Sequence, residues 1–470
     1  MQASTQFILN NRLVRTSQAS NLSVLDYLRV SKRLTATKEG CREGGCGACT
    51  VLVGHVQGEQ VLYHTFLSCL LPLGEMHGKH LVTLEGINQS QLSPVQQALV
   101  DWGAIQCGYC TPGFVMALTG ALIAEPRSLH CISEALSGNL CRCTGYGAIR
   151  RAAEDVMNRF HSDRPMDIAS AVAAQILPNY FLLIPQRLAE IPSPPPLPLR
   201  SDQPIIAGGS DWMLEHPDTS CVPAVQLLQA SDLPKGLKVQ AGKLHVSALT
   251  TFAEFAHHPL SLSLLPNLSN YFERIASLPV RHQATLGGNL GTASPIGDIS
   301  VLLLALGAQL RLLKGENSRL VEIQNFFTGY RQSLLETGEV VAEILLPLSL
   351  AQDQVNFEKI SKRRHLDCAI VNSAIRVRCE QHRMVELSLT MGGVAPTPIL
   401  MKQTAQHLQG EKLTVERLKS ALDIAQTEIA PISDVYGSAA YKRLLARQLI
   451  IAHFIELFPE LTVRKIDEAA

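Results

Sequence analysis

Eight of the nine cysteines between residues 41 and 143 have spacings that suit metal or redox chemistry. They form two sets of four within glycine-rich turns: Cys41, Cys46, Cys49 and Cys69, then Cys107, Cys110, Cys141 and Cys143. Thiolates are the ligands that hold structural zinc ions and iron–sulfur clusters in proteins. The sequence therefore predicts two metal centres in this part of the chain.

The first set has the spacing C-x4-C-x2-C with a distant fourth cysteine. This is the plant-type ferredoxin spacing for a 2Fe–2S cluster, whereas zinc ribbons usually pair two C-x2-C knuckles. Glycines in the run GCREGGCGACTV let the backbone curl tightly and aim its N–H groups at the sulfurs of a cluster. We therefore favour an iron–sulfur cluster over zinc for this set.

The second set combines C-x2-C with C-x-C, a spacing that leaves iron–sulfur and zinc both open. Cys131 lies close enough in sequence to compete as a ligand, although its plain surroundings favour a buried position on a helix. The isolated cysteines Cys221, Cys368 and Cys379 are predicted to be small core residues rather than ligands.

The elements that must position the first set predict a small α+β domain over residues 1–80. Residues 5–14 alternate in polarity around Asn10-Asn11 as a β-hairpin does, and residues 20–30 have helical spacing. Helices begin at Ser93-Pro94 and Thr111-Pro112, each with a cap residue before proline, and residues 147–160 look like the last of four. We expect a four-helix domain over residues 81–160 and a linker over residues 161–178.

Beyond the linker, strand-like and helix-like segments alternate, and the proline-rich run 191–200 is predicted to be a surface loop. From about Asn356 the pattern changes to three strands, followed by helices from Thr414 to Leu457. The whole chain is thus predicted to be an α+β protein with several domains.

Composition narrows the classes of protein to consider. The chain has 470 residues, a length typical of about three domains, and its formal net charge of zero argues against nucleic-acid binding. The apolar run from Val301 to Leu310 is too short to cross a membrane, and no secretory signal is visible. Twelve cysteines without such a signal indicate a reducing compartment, so we expect a cytoplasmic protein.

Two glycine segments could bind a phosphate group, residues 205–212 (IIAGGSDW) and residues 285–298 (TLGGNLGTASPIGD). Backbone N–H groups in such turns can cradle a pyrophosphate, although each segment could equally be an ordinary tight turn. The sequence contains no G-x-G-x-x-G motif, so a Rossmann dinucleotide fold has no support.

The cysteine motifs KEGCREGGCGACTV, SCL, QCGYCTPG and GNLCRCTGY resemble those of the xanthine dehydrogenase and aldehyde oxidase family of molybdenum hydroxylases. The resemblance covers nearly the whole chain and implies iron rather than zinc in the second set. It implies a β-grasp ferredoxin-like domain whose cluster lies nearer the flavin, and a four-helix domain whose cluster lies nearer molybdenum. It also implies that Gln106 and Cys143 approach the molybdopterin of a partner.

By the same resemblance the rest of the chain is a two-lobed, non-Rossmann FAD domain, with a binding lobe over residues 179–350 and a C-terminal lobe over residues 351–470. Lys359 matches a lysine near the flavin, where a cation favours the anionic reduced form. Ile275 replaces an aromatic residue that some relatives place beside the adenine, and Tyr330 and Arg331 lie in a stretch that flanks the cofactor. The implied FAD contacts are Ile205, Ile206, Ala207, Gly208, Gly209, Ser210, Asp211, Trp212, Thr285, Leu286, Gly287, Gly288, Asn289, Thr292, Ser294, Asp298, Val341 and Lys359.

The resemblance implies an electron-transfer subunit without a catalytic residue of its own beyond its cofactors. Electrons from a purine hydroxylated at a molybdenum site on a larger partner chain would pass through two 2Fe–2S clusters to FAD and on to NAD+. We expect a heterotetramer with two copies of each chain. The alternatives are a hydroxylase of aldehydes or other N-heterocycles, oxygen or a quinone as acceptor, a free-standing flavin/iron–sulfur reductase, and a zinc-stapled scaffold.

Overall fold

A computed structural model describes residues 4–124, 129–162, 166–193, 203–218, 224–229, 232–381 and 383–459. The chain divides into two compact units. Unit 1 comprises Met1–Asp232 together with Ser277–Ala284, and unit 2 comprises Leu233–Ala276 together with Thr285–Ala470.

Unit 1 begins with a mixed five-stranded sheet around one helix. Its strands, in the order β2-β1-β5-β3-β4, are β1 (Thr5–Leu9), β2 (Arg12–Thr16), β3 (Thr50–Gln57), β4 (Gln60–Leu67) and β5 (His80–Val82). The predicted hairpin is confirmed, since Leu9 pairs with Arg12 across a turn in which Asn10 has a φ of 52°. Helix α1 (Val24–Asp26) continues as a π-helix over Tyr27–Ser31 and buries Tyr27 against Phe7. This arrangement is a β-grasp.

The helical part of unit 1 follows the sheet. Its helices are α2 (Leu84–Ile87), α3 (Pro94–Asp101), α4 (Thr111–Ala124), α5 (Leu129–Leu136), α6 (Gly147–Arg159), α7 (Ile168–Ala173) and α8 (Ile184–Ala189). Ser93 caps α3 as predicted, in a capping box with Gln96. Helices α3 to α6 correspond to the four predicted ones, and α7 lies within the stretch predicted to be a linker. The predicted proline loop falls mostly outside the described residues.

The remainder of unit 1 is small. Strand β6 (Ile205–Ile206) pairs in parallel with β7 (Gln226–Leu227), and helix α9 (Ser210–Glu215) follows β6. Helix α13 (Leu278–Arg281) belongs to the segment Ser277–Ala284, which contacts β4.

Unit 2 contains two larger sheets. The first, in the order β11-β10-β14-β9-β8, is built from β8 (Leu237–Gln240), β9 (Lys243–Ser247), β10 (Gln309–Lys314), β11 (Asn317–Glu322) and β14 (Val340–Pro347). Its helices and a small hairpin are α10 (Phe252–His257), α11 (Pro259–Leu264), α12 (Leu268–Phe272), α14 (Leu286–Thr292), α15 (Asp298–Ala305), β12 (Phe327–Gly329) and β13 (Gln332–Ser333).

The second sheet, β15-β16-β17-β18, forms the C-terminal part of unit 2. Its elements are β15 (Gln354–Ile360), β16 (Val371–Glu380), β17 (Arg383–Gly392), β18 (Ile399–Leu400), α16 (Lys402–Leu408), α17 (Val415–Glu428) and α18 (Ala439–Leu457). Helices α16 to α18 bury one face of the sheet around a core that includes Ile375, Leu389 and Phe454. Both larger sheets are antiparallel throughout, which confirms the non-Rossmann prediction.

Two predictions about single cysteines are wrong. Cys368, in the loop before β16, and Cys379, near the β16–β17 turn, are both exposed, because each lies where the chain leaves the sheet. Cys221 lies outside the described residues, as does the side chain of Cys131 on α5. Among the helices in the described ranges, none combines the length and apolar character that a membrane crossing requires.

Candidate functional site

The first cysteine set lies in an irregular loop between α1 and β3, with Cys69 just after β4. The loop turns through left-handed backbone at Arg42, Gly44 and Gly47, whose φ angles are 57°, 72° and 66°. A Cβ atom on Gly40 would lie 2.6 Å from the Cys46 sulfur, so a larger residue at this position would displace that sulfur. The glycines therefore allow the tight turn that brings the sulfurs inward.

The four sulfurs of this set lie in two pairs. The Cys49 and Cys69 sulfurs are 3.4 Å apart and buried, and Cys41 is hydrogen-bonded to Cys46. That hydrogen bond lowers the pKa of Cys41 to about 5, and the backbone N–H groups of Glu43 and Gly45, each 3.3 Å from its sulfur, act in the same direction. The loop thus stabilises thiolate, the form that binds a metal.

The second set lies at the ends of two helices. Cys107 and Cys110 precede α4, and Cys141 and Cys143 lie in the turn before α6. Cys110 is hydrogen-bonded to Cys141, and Cys143 to Cys107, so these sulfurs are also arranged in pairs. Burial, followed by the hydrogen bond to Cys141, raises the pKa of Cys110 to about 12.

The pKa of Cys141 is shifted in the opposite direction from that of Cys110. Burial acts to raise its pKa, but hydrogen bonds from Thr144 hold the pKa below its ordinary value, and the Thr144 hydroxyl lies 3.2 Å from the sulfur. One thiol of the Cys110–Cys141 pair is therefore stabilised as a thiolate, as in the first set.

The pairing of the cysteine sulfurs can be compared with the ligand arrangements of a 2Fe–2S cluster and of a structural zinc ion. In a 2Fe–2S cluster each iron takes two cysteines, whereas a structural zinc ion draws four ligands around one point. No group of three or more His, Cys, Asp or Glu side chains in the described ranges converges to hold a single ion. Two pairs in each set match the two irons of such a cluster, each of which takes two cysteines.

The two sets share one cavity. A cavity of about 190 Å³ is lined by Cys46 of the first set and by all four cysteines of the second. The backbone N–H of Leu140 donates to the carbonyl of Cys46 at 2.9 Å, and the Asn139 amide donates to the carbonyl of Gly47, also at 2.9 Å. The Tyr109 hydroxyl donates to the carbonyl of Glu39, beside the first loop. The loops are therefore fastened directly to each other.

The second set also reaches the surface of unit 1. Cys107 and Cys143 are exposed, and so is Gln106, the residue predicted to approach a partner's pterin. Large apolar side chains nearby in the sequence are also exposed: Trp102, Ile105, Tyr109 and Leu140. The surface formed by these residues is called the cysteine face below, and it combines exposed ligand candidates with exposed apolar side chains. Its members are Trp102, Ile105, Gln106, Cys107, Tyr109, Leu140 and Cys143.

The first predicted FAD segment, Ile205 to Trp212, belongs to unit 1. It runs from β6 through Ala207, Gly208 and Gly209 into α9, and Gly209 has a φ of 78°. A Cβ atom on Gly208 would lie 2.0 Å from the carbonyl oxygen of Gln283, so only glycine fits. Trp212 stacks on His216 and packs against the apolar cluster that contains Cys49 and Cys69.

The second predicted segment belongs to unit 2 and forms the turn into α14. The Thr285 hydroxyl caps this helix by accepting from the Gly288 N–H at 3.0 Å. A Cβ atom on Gly287 would lie 2.6 Å from that of Ala248, while Asn289 accepts from Ser300 at 3.2 Å. The Thr292 and Ser294 hydroxyls bond to backbone in the same turn. These hydrogen bonds order the segment as the capped N-terminus of helix α14 and the turn that follows the helix.

Three polar side chains form a network in unit 2. Lys359, whose side chain is 2% exposed, donates to Asp298 at 2.6 Å, and the Asn372 amide donates to the other Asp298 oxygen at 2.6 Å. Asp298 is the first residue of α15, and Lys359 lies opposite Asn372 in the β15–β16 pair. The predicted flavin-tuning lysine is thus neutralised by another predicted FAD contact. Asn372 was not predicted.

The other residues that the sequence singled out are scattered within unit 2. Val341 is buried in β14, and Ile275 is 1% exposed, so Ile275 is a core residue. Tyr330 is 64% exposed, and Arg331 follows it with a φ of 53°. These positions leave the predicted FAD residues divided between the two units, with Ile205 to Trp212 in unit 1 and the others in unit 2.

Four protein-family models match the chain. They are described as a 2Fe-2S iron-sulfur cluster binding domain (residues 7–73), a [2Fe-2S] binding domain (83–154), an FAD binding domain in molybdopterin dehydrogenase (189–349) and a CO dehydrogenase flavoprotein C-terminal domain (357–457). All the predicted ligand and cofactor residues fall within these ranges. The first two matches support iron–sulfur clusters in both cysteine sets.

Curated and solved proteins similar to this chain also bear on its family. The chain is 31% identical to a xanthine dehydrogenase of Drosophila pseudoobscura pseudoobscura and 30% identical to one of Drosophila subobscura. These matches cover 98% and 97% of the chain but only 39% of each relative, so the chain spans about two fifths of the length of these relatives. A solved carbon monoxide dehydrogenase chain from Hydrogenophaga pseudoflava is 27% identical, with a TM-score of 0.51 over 54% of this chain and 88% of that one.

Proposed function

Since the chain belongs to the iron–sulfur and FAD-binding proteins of the molybdenum hydroxylase family, we propose that it is the electron-transfer subunit of a xanthine dehydrogenase. In this proposal a purine is oxidised at a molybdenum site on a larger partner chain, and NAD+ is the final acceptor. The match at 31% identity to a xanthine dehydrogenase supports the choice of substrate class. The single observation that carries the electron-transfer role is the hydrogen bond from Leu140 to Cys46, which joins the two cysteine sets.

The chain's own residues have three tasks in this proposal. The eight cysteines hold two 2Fe–2S clusters, the glycine turns shape the sites, and the segments around Gly208 and Thr285 bind FAD. When bound, the clusters supply one-electron transfer and FAD supplies the exchange between single electrons and a hydride. Burial of Cys49 and Cys69 keeps water from that half of the first site, whereas Cys41 and Cys46 are partly exposed.

The cysteine face is our proposed docking surface for the molybdenum-bearing partner. It exposes Cys107 and Cys143 beside Gln106, so a pterin bound to the partner could approach the second set directly. Exposed aromatic and aliphatic side chains beside polar groups are typical of protein interfaces. We propose a heterotetramer with two copies of each chain, located in the cytoplasm.

The test begins with the purified chain under anaerobic conditions. We expect a brown protein with about four irons per chain and bound FAD, whose flavin and cluster absorption bands both bleach when NADH is added. A protein that contains both cofactors but does not respond to NADH would instead indicate oxygen or a quinone as acceptor. Zinc in place of iron would support the scaffold alternative.

The partner is tested by purifying the chain from its native cells with a tag. We expect a larger molybdenum-containing chain to co-purify and the complex to oxidise xanthine with NAD+. A complex that oxidises aldehydes or another N-heterocycle but not xanthine would move the assignment to another hydroxylase of the family. A chain that reduces several acceptors and never co-purifies with molybdenum would be a free-standing reductase.

A further inference from the structure

Gln283 is a buried glutamine whose side-chain amide contacts two different parts of unit 1. The residue is 5% exposed and lies in the segment Ser277–Ala284. Its Nε2 donates to the carbonyl of Leu70 at 2.5 Å and to the carbonyl of Gly208 at 2.7 Å. One NH2 group therefore uses both of its protons on two backbone acceptors that are far apart in sequence.

Each of these carbonyls belongs to a predicted cofactor site. Leu70 follows Cys69 and packs in the apolar cluster that contains Cys49 and Cys69. Gly208 lies in the first predicted FAD segment, and its backbone approaches Gln283 so closely that any Cβ would overlap the Gln283 carbonyl. Gln283 thus connects the loop that carries a cluster ligand to the loop that is predicted to bind FAD.

The orientation of the Gln283 amide follows from its partners. A reversed amide would place its oxygen against two carbonyl oxygens, leaving all three acceptors without donors in a buried place. A buried acceptor left without a donor is strongly unfavourable. The side chain is therefore locked in the donating orientation.

Neighbouring residues hold the segment around Gln283 in place. Arg281 is 1% exposed and forms an ion pair with Glu134 on α5. His282 contacts the carbonyl of Thr65 on β4 through its Nδ1 at 3.1 Å. The segment is thus anchored to the helical part and to the sheet of unit 1. Its backbone is therefore held independently of the two loops that the Gln283 side chain contacts.

We propose that Gln283 is a positioning residue that fixes the Cys69 loop and the first FAD segment relative to each other. The inference rests on the proposed function, because it assumes that the two loops hold a 2Fe–2S cluster and FAD. Its consequence is specific: one substitution at a residue that is neither a cluster ligand nor a predicted FAD contact disturbs both cofactor sites together.

The test uses the full chain with its cofactors and the variant Gln283→Met, which keeps the length of the side chain but has no donor. We expect the dissociation constant for FAD to rise roughly tenfold, the effect of losing two ordinary hydrogen bonds. We also expect the electron paramagnetic resonance signal of the reduced Cys41–Cys69 cluster to shift, while that of the second cluster stays unchanged. The matched control is Gln409→Met, which removes one hydrogen bond from a side-chain amide to the Val385 carbonyl. It should change neither the dissociation constant for FAD nor the signal of the first cluster.

A Gln283→Met protein in which only one of the two quantities moves, or neither, overturns the inference. If this variant does not fold, Gln283→Asn keeps the amide but is one methylene too short to reach both carbonyls, and the same two shifts are required of it. Wild-type protein that lacks FAD or iron would overturn the proposed function and the inference with it. Wild-type protein that holds both cofactors, with unshifted variants, overturns the inference alone.

Discussion

The backbone N–H of Leu140 donates to the carbonyl of Cys46 at 2.9 Å, joining the residue before one predicted cluster ligand to a predicted ligand of the other set. Because Cys141 follows Leu140 directly, the path from Cys46 to Cys141 crosses only this one hydrogen bond, and the Asn139–Gly47 hydrogen bond lies beside it. Cys46 and Cys141 also line the same cavity. These contacts hold the two sets at a defined separation within unit 1.

Loss of one ligand should nevertheless empty only its own site. We expect Cys110→Ser to lower the iron content from about four to about two per chain, because one iron of that 2Fe–2S cluster would keep only one of its two thiolate ligands. The matched control is Cys379→Ser, an exposed cysteine outside both sets, which should retain all the iron. Iron analysis combined with paramagnetic resonance of the reduced protein distinguishes the two sites. Full iron content in Cys110→Ser would contradict the ligand assignment.

Glycine positions in the two predicted FAD segments should differ in their tolerance. We expect Gly208→Ala to lose most of its FAD, because the new Cβ would lie 2.0 Å from the Gln283 carbonyl. Gly291, on α14, has open space around it, so Gly291→Ala should keep FAD and gain up to about 1 kcal/mol of stability from better helix propensity. Flavin content and thermal unfolding measure both effects. Equal FAD loss in the two variants would refute the steric explanation.

The cysteine turns, the first hairpin and the capped helices could be predicted because their signals are local in sequence. Gln283 could not, since its two partners lie 213 and 75 residues away and nothing in its own neighbourhood indicates them. The Lys359–Asp298 ion pair could not be predicted for the same reason: each residue is a candidate by itself, but the two lie 61 residues apart in sequence. The exposure of Cys368 and Cys379 could not be predicted, because the sequence pattern does not show where a strand leaves the core.

The ion pair between Lys359 and Asp298 should be strongly coupled in stability. Asp298→Asn leaves the Lys359 cation buried without a counter-charge, so we expect a loss of about 3–5 kcal/mol in the free energy of unfolding. Combining it with Lys359→Met removes the cation as well and should recover more than half of that loss. A double-mutant cycle measured by urea unfolding tests the coupling. Additive losses would show that the two side chains do not depend on each other.

Acid should destabilise unit 2 partly through His453. Burial lowers the pKa of this histidine from 6.5 to about 3, because the charged ring cannot be solvated. Between these two pH values the unfolded chain binds a proton that the folded chain excludes. Stability therefore falls by up to about 1.4 kcal/mol for each pH unit below 6.5, while above pH 6.5 this effect is absent.

The variant His453→Gln checks this effect, since it removes the titrating ring. At pH 7.5 it should be less stable than wild type, because it disturbs the contact between His453 and Asn356 at 3.1 Å. On acidification the difference in unfolding free energy between the two proteins should shrink and then reverse. Only the wild type loses stability because its unfolded chain binds a proton at His453 that the folded chain excludes. Parallel stability curves for the two proteins between pH 7.5 and pH 4 would contradict the prediction.

The cysteine face offers a prediction about assembly that leaves the cofactors untouched. Ile105 is 40% exposed beside Gln106 and Cys107, so Ile105→Glu should place a charge in the proposed contact with the molybdenum-bearing partner. Charged residues are depleted at the centres of interfaces, and desolvating one without a counter-charge is costly. We expect the yield of co-purified partner to fall at least about tenfold, equivalent to about 1.4 kcal/mol, with iron and FAD unchanged.

The matched control is Val435→Glu, at an 85% exposed position of unit 2, which should leave the yield of partner unchanged. Normal recovery of the partner with Ile105→Glu would move the docking surface elsewhere on the chain.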